Sequence, residues 1–240
     1  VKNGPLLFLS WTSGCLDALS YLGLGRIFTA NMTGNTVLFG LALAQGNWLD
    51  VLHALVALLG FALGAIGGTF LVERNYERKR AGWTPRVLFA LTVEGCLLLI
   101  FAIVWPFAKA LSQSSPPIYI LILVAGLAMG LQSAIVVSLS VPGVSTTYIT
   151  GTITTLMSAI GRRLFIHTQE PPPLANAQEA QIEHLRPLRL AAVWLIYIVA
   201  AGISGFTALH IPALASFLPL LAVVMAIIHA FSNRPARIEE

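Results

Sequence analysis

Asn31-Met32-Thr33-Gly34-Asn35-Thr36 opens an apolar segment, residues 32–45, that is too short to cross a bilayer, and Thr150-Gly151-Thr152 opens a second, residues 147–161. Each follows a longer apolar segment, one carrying Gly14-Cys15-Leu16-Asp17-Ala18 and the other Gly130-Leu131-Gln132-Ser133-Ala134. With one residue inserted, Gly14 aligns with Gly130, Ala18 with Ala134, Thr29 with Thr146, Thr33 with Thr150 and Gly34 with Gly151. A membrane unit that occurs twice, each copy holding a short helix with a polar head, is the outline of a transporter. The pattern divides the chain into a first repeat, 1–112, and a second, 113–240, the latter with a loop over 164–186.

The composition sets the class. Of 240 residues, 57% are hydrophobic and 10% charged, where a soluble domain carries about a quarter charged. This is the profile of an integral membrane protein in contact with lipid. The net charge of +4 follows loop placement and is no signal for nucleic acid. Cys15 and Cys96 both lie in apolar segments without ligand spacing, so neither a metal nor a disulfide framework is expected, and no cofactor motif is present. The first apolar segment contains Asp17 and has a counterpart in the second half, so it reads as a retained span and not a cleaved leader.

Runs of bilayer-spanning length, about twenty residues, fall at 5–24, 50–72, 86–108, 117–140, 187–209 and 211–231. Arg74, Arg78, Lys79, Arg80 and Arg86 crowd one loop. Arg162, Arg163, Arg186 and Arg189 flank another, and Lys2, Arg234 and Arg237 lie near the termini. Placing all of these in the cytoplasm makes 50–72 run inward and its partner 187–209 run outward. The expected fold is therefore all-α: six transmembrane helices plus two short broken or re-entrant half-helices, in two inverted-topology repeats with both termini cytoplasmic. Eight full spans in parallel repeats are the alternative, which the charge bias disfavours. In the 164–186 loop, Pro171-Pro172-Pro173 stays extended and the Ala/Gln/Glu-rich remainder suits one short interfacial helix.

A helix that starts inside the membrane must direct its free N–H groups at a cavity or a ligand. Thr33 and Thr150 can cap such starts, and Gly34 and Gly151 permit close approach. A small-molecule solute with an anionic or polar group would then be held by Asn31, Thr33, Gly34, Asn35, Gln132, Ser133, Thr150, Gly151 and Thr152. Close packing through small residues would use Thr-Gly equally well. Among ten acidic residues only Asp17 and Glu94 lie well inside spans. A charge there costs at least about 2.5–3.5 kcal/mol, so both are candidates for proton coupling, with a neutral, hydrogen-bonded structural acid as the plain reading. Arg26 and His53 read as interfacial. Gly60, Gly64 and Gly68, matched by Ala201 and Gly205 in the partner span, form a stripe for helix packing or for a homodimer.

An enzyme is not expected. Gly202-Ile203-Ser204-Gly205 reads like the Gly-x-Ser-Gly of an intramembrane serine protease, with His229 as base, but the two lie near opposite ends of their spans. A passive channel of the same architecture is the nearer alternative. The Asn31–Val37 string, Asp17-Ala18, Glu94 and the Gly130–Ala134 to Thr150–Thr152 blocks resemble the YoaK-type family of bacterial inner-membrane proteins over nearly the whole chain. In that family the second block often reads Gln-Asn-Ala, where this chain has Gln132-Ser133-Ala134. The resemblance implies a multi-pass bacterial inner-membrane protein and no particular substrate.

Overall fold

The computed structural model describes residues 4–73, 83–108, 111–139, 149–165 and 177–232. Thr146, the 74–80 basic cluster, Lys2, Lys109, Arg234, Arg237 and the proline run lie outside these, so the expectations resting on them do too. The described residues form helices only: α1 (Gly4–Gly23), α2 (Met32–Gln45), α3 (Trp48–Glu73), α4 (Pro85–Ala108), α5 (Pro116–Ser138), α6 (Ile149–Phe165), α7 (Ala177–His210), α8 (Pro212–Ala215) and α9 (Phe217–Ser232). Five stretches are long and apolar enough to cross a membrane: Trp48–Val72, Pro85–Ala108, Pro116–Ser138, Pro187–His210 and Pro212–Ser232. This is a multi-pass membrane protein.

Local chemistry sets the helix ends. The Asn31 side chain caps α2 by accepting from the Gly34 N–H at 3.2 Å, and Gly46 closes the helix in the left-handed region at φ 66°. Asn47 then caps α3, its Oδ1 accepting from the Asp50 N–H at 3.3 Å. The Ala/Gln/Glu-rich stretch is no separate interfacial helix. It is the first part of α7, which continues through Pro187, whereas the last span breaks at Ser216 into α8 and α9. At 1.5 Å per residue α2 is about 21 Å long and α6 about 25 Å, both below the roughly 30 Å of a hydrocarbon core.

Polar and apolar groups are distributed as a lipid solvent requires. Ser10, Thr12, Ser13, Asp17, Glu94, Gln132 and Ser204 are buried between helices, while Leu63, Ile66, Phe70, Phe107, Leu195 and Phe206 are exposed. Exposed apolar side chains of this size on spanning helices fit contact with hydrocarbon.

The helices pack in exchanged pairs. α3 lies most extensively on α5, as α7 does on α1; α1 meets α9, as α5 meets α4; and α2 rests on α3, as α6 rests on α7. Directions follow from individual contacts. Ser10 donates to the Val193 carbonyl at 2.8 Å and Ser204 to the Cys15 carbonyl at 3.3 Å, so α1 and α7 run the same way. Gly60, Gly64 and Gly68 face Leu123, Leu127 and Leu131 in order, so α3 and α5 also run together. α1 and α5 are opposed: Gln113, just before α5, donates to the carbonyl of Gly23 at the end of α1, and Gln132 donates to the Leu9 carbonyl at 3.1 Å. α4 and α9 are opposed as well, with Ser216 donating to the Ala102 carbonyl and Gly95 facing Val223 and Ile227.

Two sequence expectations change here. The Gly60, Gly64 and Gly68 stripe is buried against the α5 backbone within one chain and presents no surface for a homodimer. Its register in the partner helix also shifts by one residue. The Phe61 carbonyl stands against Gly130 as the Tyr197 carbonyl stands against Gly14, and Gly68 against Leu131 as Ser204 against Cys15. The counterparts are therefore Ala200 and Ser204, not Ala201 and Gly205. His53, near the start of α3, is packed inside the protein and not open to solvent. It is fully buried, with Nε2 at 2.9 Å from the Gln113 carbonyl, and its ring occupies the space that a Cβ on Gly25 would need.

Candidate functional site

The site is built on the sharp turn between α1 and α2. Gly25 at φ 79° and Arg26 at φ 58° are both left-handed, and the chain then folds back along α1. Residues 28–31 cannot bond within a helix, so side chains must satisfy their backbone groups. Asp17 supplies most of this. Its Oδ1 accepts from the N–H groups of Thr29 at 2.8 Å, Ala30 at 2.7 Å and Asn31 at 3.4 Å. Its Oδ2 accepts from the Tyr197 hydroxyl at 2.5 Å. Asn35, also fully buried, accepts from the Phe28 N–H at 2.8 Å and donates to the Phe28 carbonyl at 2.5 Å. Ser20 and Thr29 share a hydrogen bond of 3.1 Å.

Beside this anchor lies a cleft of about 330 Å³ lined by Asp17, Tyr21, Phe28, Tyr197, Ala201 and Gly205, among others. Tyr21 and Phe28 stack at a centroid distance of 5.5 Å and form one wall. The cleft is apolar except at the carboxylate–phenol pair. An α1-to-α7 bridge, a pinned backbone turn and an aromatic wall therefore meet at one place.

The predicted site residues do not all gather here. Asn31 and Asn35 belong to the anchor. Thr33 and Thr36 are exposed on α2, and the helix is capped by Asn31 and not by Thr33. Asp17 holds the N–H groups of residues 29–31, just before α2, while at the helix start itself the Met32 N–H donates to the Ala30 carbonyl, that of Gly34 to Asn31 Oδ1 and that of Asn35 to the Asn31 carbonyl. On α6, Thr150 is exposed and Thr152, the counterpart of Asn35, is fully buried. Gln132 lies elsewhere in the core, donating to the Leu9 carbonyl and to Ser13 Oγ at 2.8 Å. Ser133 is half-buried on α5. Ser204 is bonded to the Cys15 carbonyl, while the His229 ring lies against Gly4 at the far end of α1, so the two do not pair.

Tyr197, Phe28, Ser20 and Thr29 were not anticipated. The register of the exchanged pairs places Tyr197 where the first half has Phe61, just as Asp17 stands where the second half has Ser133. Both polar departures fall on the α1–α7 side. That signal is readable in the sequence only once these helices are known to touch.

Comparison with known proteins identifies the family. No solved structure matches the chain. It is 36% identical over 169 residues to the UPF0700 transmembrane protein YoaK of Bacillus subtilis (strain 168), a match covering 70% of this chain and 72% of that protein. The profile of the family described as protein of unknown function (DUF1275) matches residues 6–230. The chain belongs to the DUF1275 family.

Proposed function

We propose that this protein is a secondary transporter of a small polar solute in the bacterial inner membrane, built from two inverted repeats. The observation that carries the reading is the direction of the helices. The long helices α1, α3 and α4 of the first half oppose α5, α7 and α9 of the second, while α1 runs with α7 and α3 with α5. An inverted pair with exchanged partners can rock between two equivalent arrangements, which is the basis of alternating access. The same directions support re-entrant short helices. α3 starts beside the end of α1, with His53 against Gly25, so α2 enters and returns on one side. α6 would do the same from the other, between the end of α5 and the start of α7. The positive-inside rule supports cytoplasmic termini in this reading.

The cleft at Asp17 and Tyr197 is the solute site in this reading. It lies between helices of different repeats, where relative motion would open or close it. Since Asp17 itself fills the N–H groups preceding α2, the cleft offers an acceptor and a hydroxyl, and suits a neutral or cationic polar group better than an anion. A passive channel would have the same helices but no need for a bridge that closes α1 onto α7.

Two measurements test this. In a chain with Cys15 and Cys96 replaced by serine, Arg26→Cys and Asn47→Cys should react with an impermeant maleimide from one side of the membrane, and Arg162→Cys from the other. Labelling of Arg26→Cys and Asn47→Cys from opposite sides would mean that α2 crosses, and would end the re-entrant reading. In proteoliposomes screened against polar solutes under a proton gradient, Tyr197→Phe should retain the fold and weaken apparent affinity by about tenfold, the loss of one hydrogen bond to a charged group. Unchanged affinity for a transported solute would move the site away from the cleft.

A further inference from the structure

We propose that Glu94, set at the depth of the Ser13–Gln132 pair among the four central helices, is the carboxyl that binds the coupling proton. The proposal rests on the transport reading for the use of that proton, though not for its binding.

The geometry starts from a common end point. The Trp105 ring lies against Gly23, which brings the ends of α1 and α4 together. Counting back, Ser13 is ten residues from Gly23 and Glu94 eleven from Trp105, or about 15 and 17 Å at the helical rise. Gln132 of α5 bonds to Ser13 and to the Leu9 carbonyl at this same level. α4 packs on α5 and α9, and α1 on both of those, so Glu94 points into the middle of the ring α1–α9–α4–α5. Its relative exposure is 0%, and neither carboxylate oxygen has a hydrogen-bond partner among the described residues.

Cations close enough to neutralise it are absent among the described residues. On its own helix are Arg86, about 12 Å along the axis, and Cys96, which is exposed. α5 contributes Tyr119, which meets His53 at the end of the helix. α9 contributes His229, which lies against Gly4. α3 contributes Asp50, His53 and Glu73, all toward its two ends, and α8 has no titratable side chain. An ionised carboxylate here would be stripped of water with nothing in return. In this conformation Glu94 therefore holds a proton, and it can release that proton only when a rearrangement of the ring admits water or a base.

Asp17 cannot do the same work as readily. Its oxygens already accept three backbone N–H groups and the Tyr197 hydroxyl, so a proton added there would weaken bonds that the ionised carboxylate makes in full. The two buried acids thus have different tasks: Asp17 anchors the α1–α2 turn and Glu94 binds the proton.

Dicyclohexylcarbodiimide, an apolar reagent that modifies protonated carboxyls, tests this on the purified full-length protein, with peptide mass spectrometry as the readout. The expected result is a single adduct at Glu94, weaker as the pH is raised, with Asp17 unmodified. Infrared spectroscopy provides the second readout: a protonated-acid carbonyl band that is lost in E94Q and kept in D17N. An adduct on Asp17 instead, or an acid band that survives E94Q, would overturn the assignment. Among transport measurements, E94Q should retain solute exchange and lose accumulation driven by a pH gradient; undiminished accumulation would refute the coupling role. Modification of Glu94 in a protein that moves no solute would remove the transport reading and leave the proton site standing.

Discussion

Asp17→Ala should sharply lower the thermal stability of the purified protein, whereas Asp17→Asn should cost little. The carboxylate is the shared acceptor for the N–H groups of Thr29, Ala30 and Asn31, and it receives the Tyr197 hydroxyl. Removing it leaves buried donors without partners, and each such group costs about 1–3 kcal/mol. With two short bonds and one longer bond lost, the total should reach about 3 kcal/mol or more. An asparagine keeps Oδ1 as the acceptor, and its amide can donate to the Tyr197 oxygen. It forfeits only the charge-assisted part of the bonds, about 1 kcal/mol. Melting in detergent, followed by intrinsic fluorescence, separates the two. Equal losses in both variants would mean that the charge of Asp17, and not its hold on the turn, is what the fold requires.

Gly130→Val should disrupt assembly of the spans, while Gly202→Val should be tolerated. A Cβ on Gly130 would run into the Phe61 carbonyl and approach the Ala65 nitrogen at 2.7 Å, so α3 and α5 would have to separate. Gly202 on α7 has nothing within 4 Å of the same position. Overpacking of a tight contact costs about 1–3 kcal/mol, and here the obstacle is backbone, which cannot rotate away. The α3–α5 contact is the most extensive in the fold. Gly130→Val should therefore run as aggregate or molten protein in gel filtration, with Gly202→Val monodisperse and melting close to the unaltered chain. Matching behaviour of the two would show that close backbone approach is not what joins these helices.

The sequence by itself determined the solvent, the element type and most boundaries. Twenty-residue apolar runs with basic residues between them admit only membrane-spanning helices, because hydrocarbon leaves no other way to satisfy the backbone. The bounds of α2 matched the predicted 32–45 because Asn31 and Gly46 are local signals, a side-chain cap and a left-handed stop. The 177–186 segment was misjudged because its polar composition hid its continuity with the apolar part of α7, and Pro187 did not break the helix.

Tertiary structure decided what the buried polar residues do. Burial of Asp17 and Glu94 follows from their place in apolar runs, and both looked alike in the sequence. Their partners do not follow, since those come from elements 12 to 180 residues away. One carboxyl met three N–H groups and a phenol, and the other met no donor among the described residues. The glycine stripe was equally ambiguous until α5 filled it, because small residues announce only that something comes close. Which surface comes close is set by the path of the chain through the bilayer, and no local pattern records it.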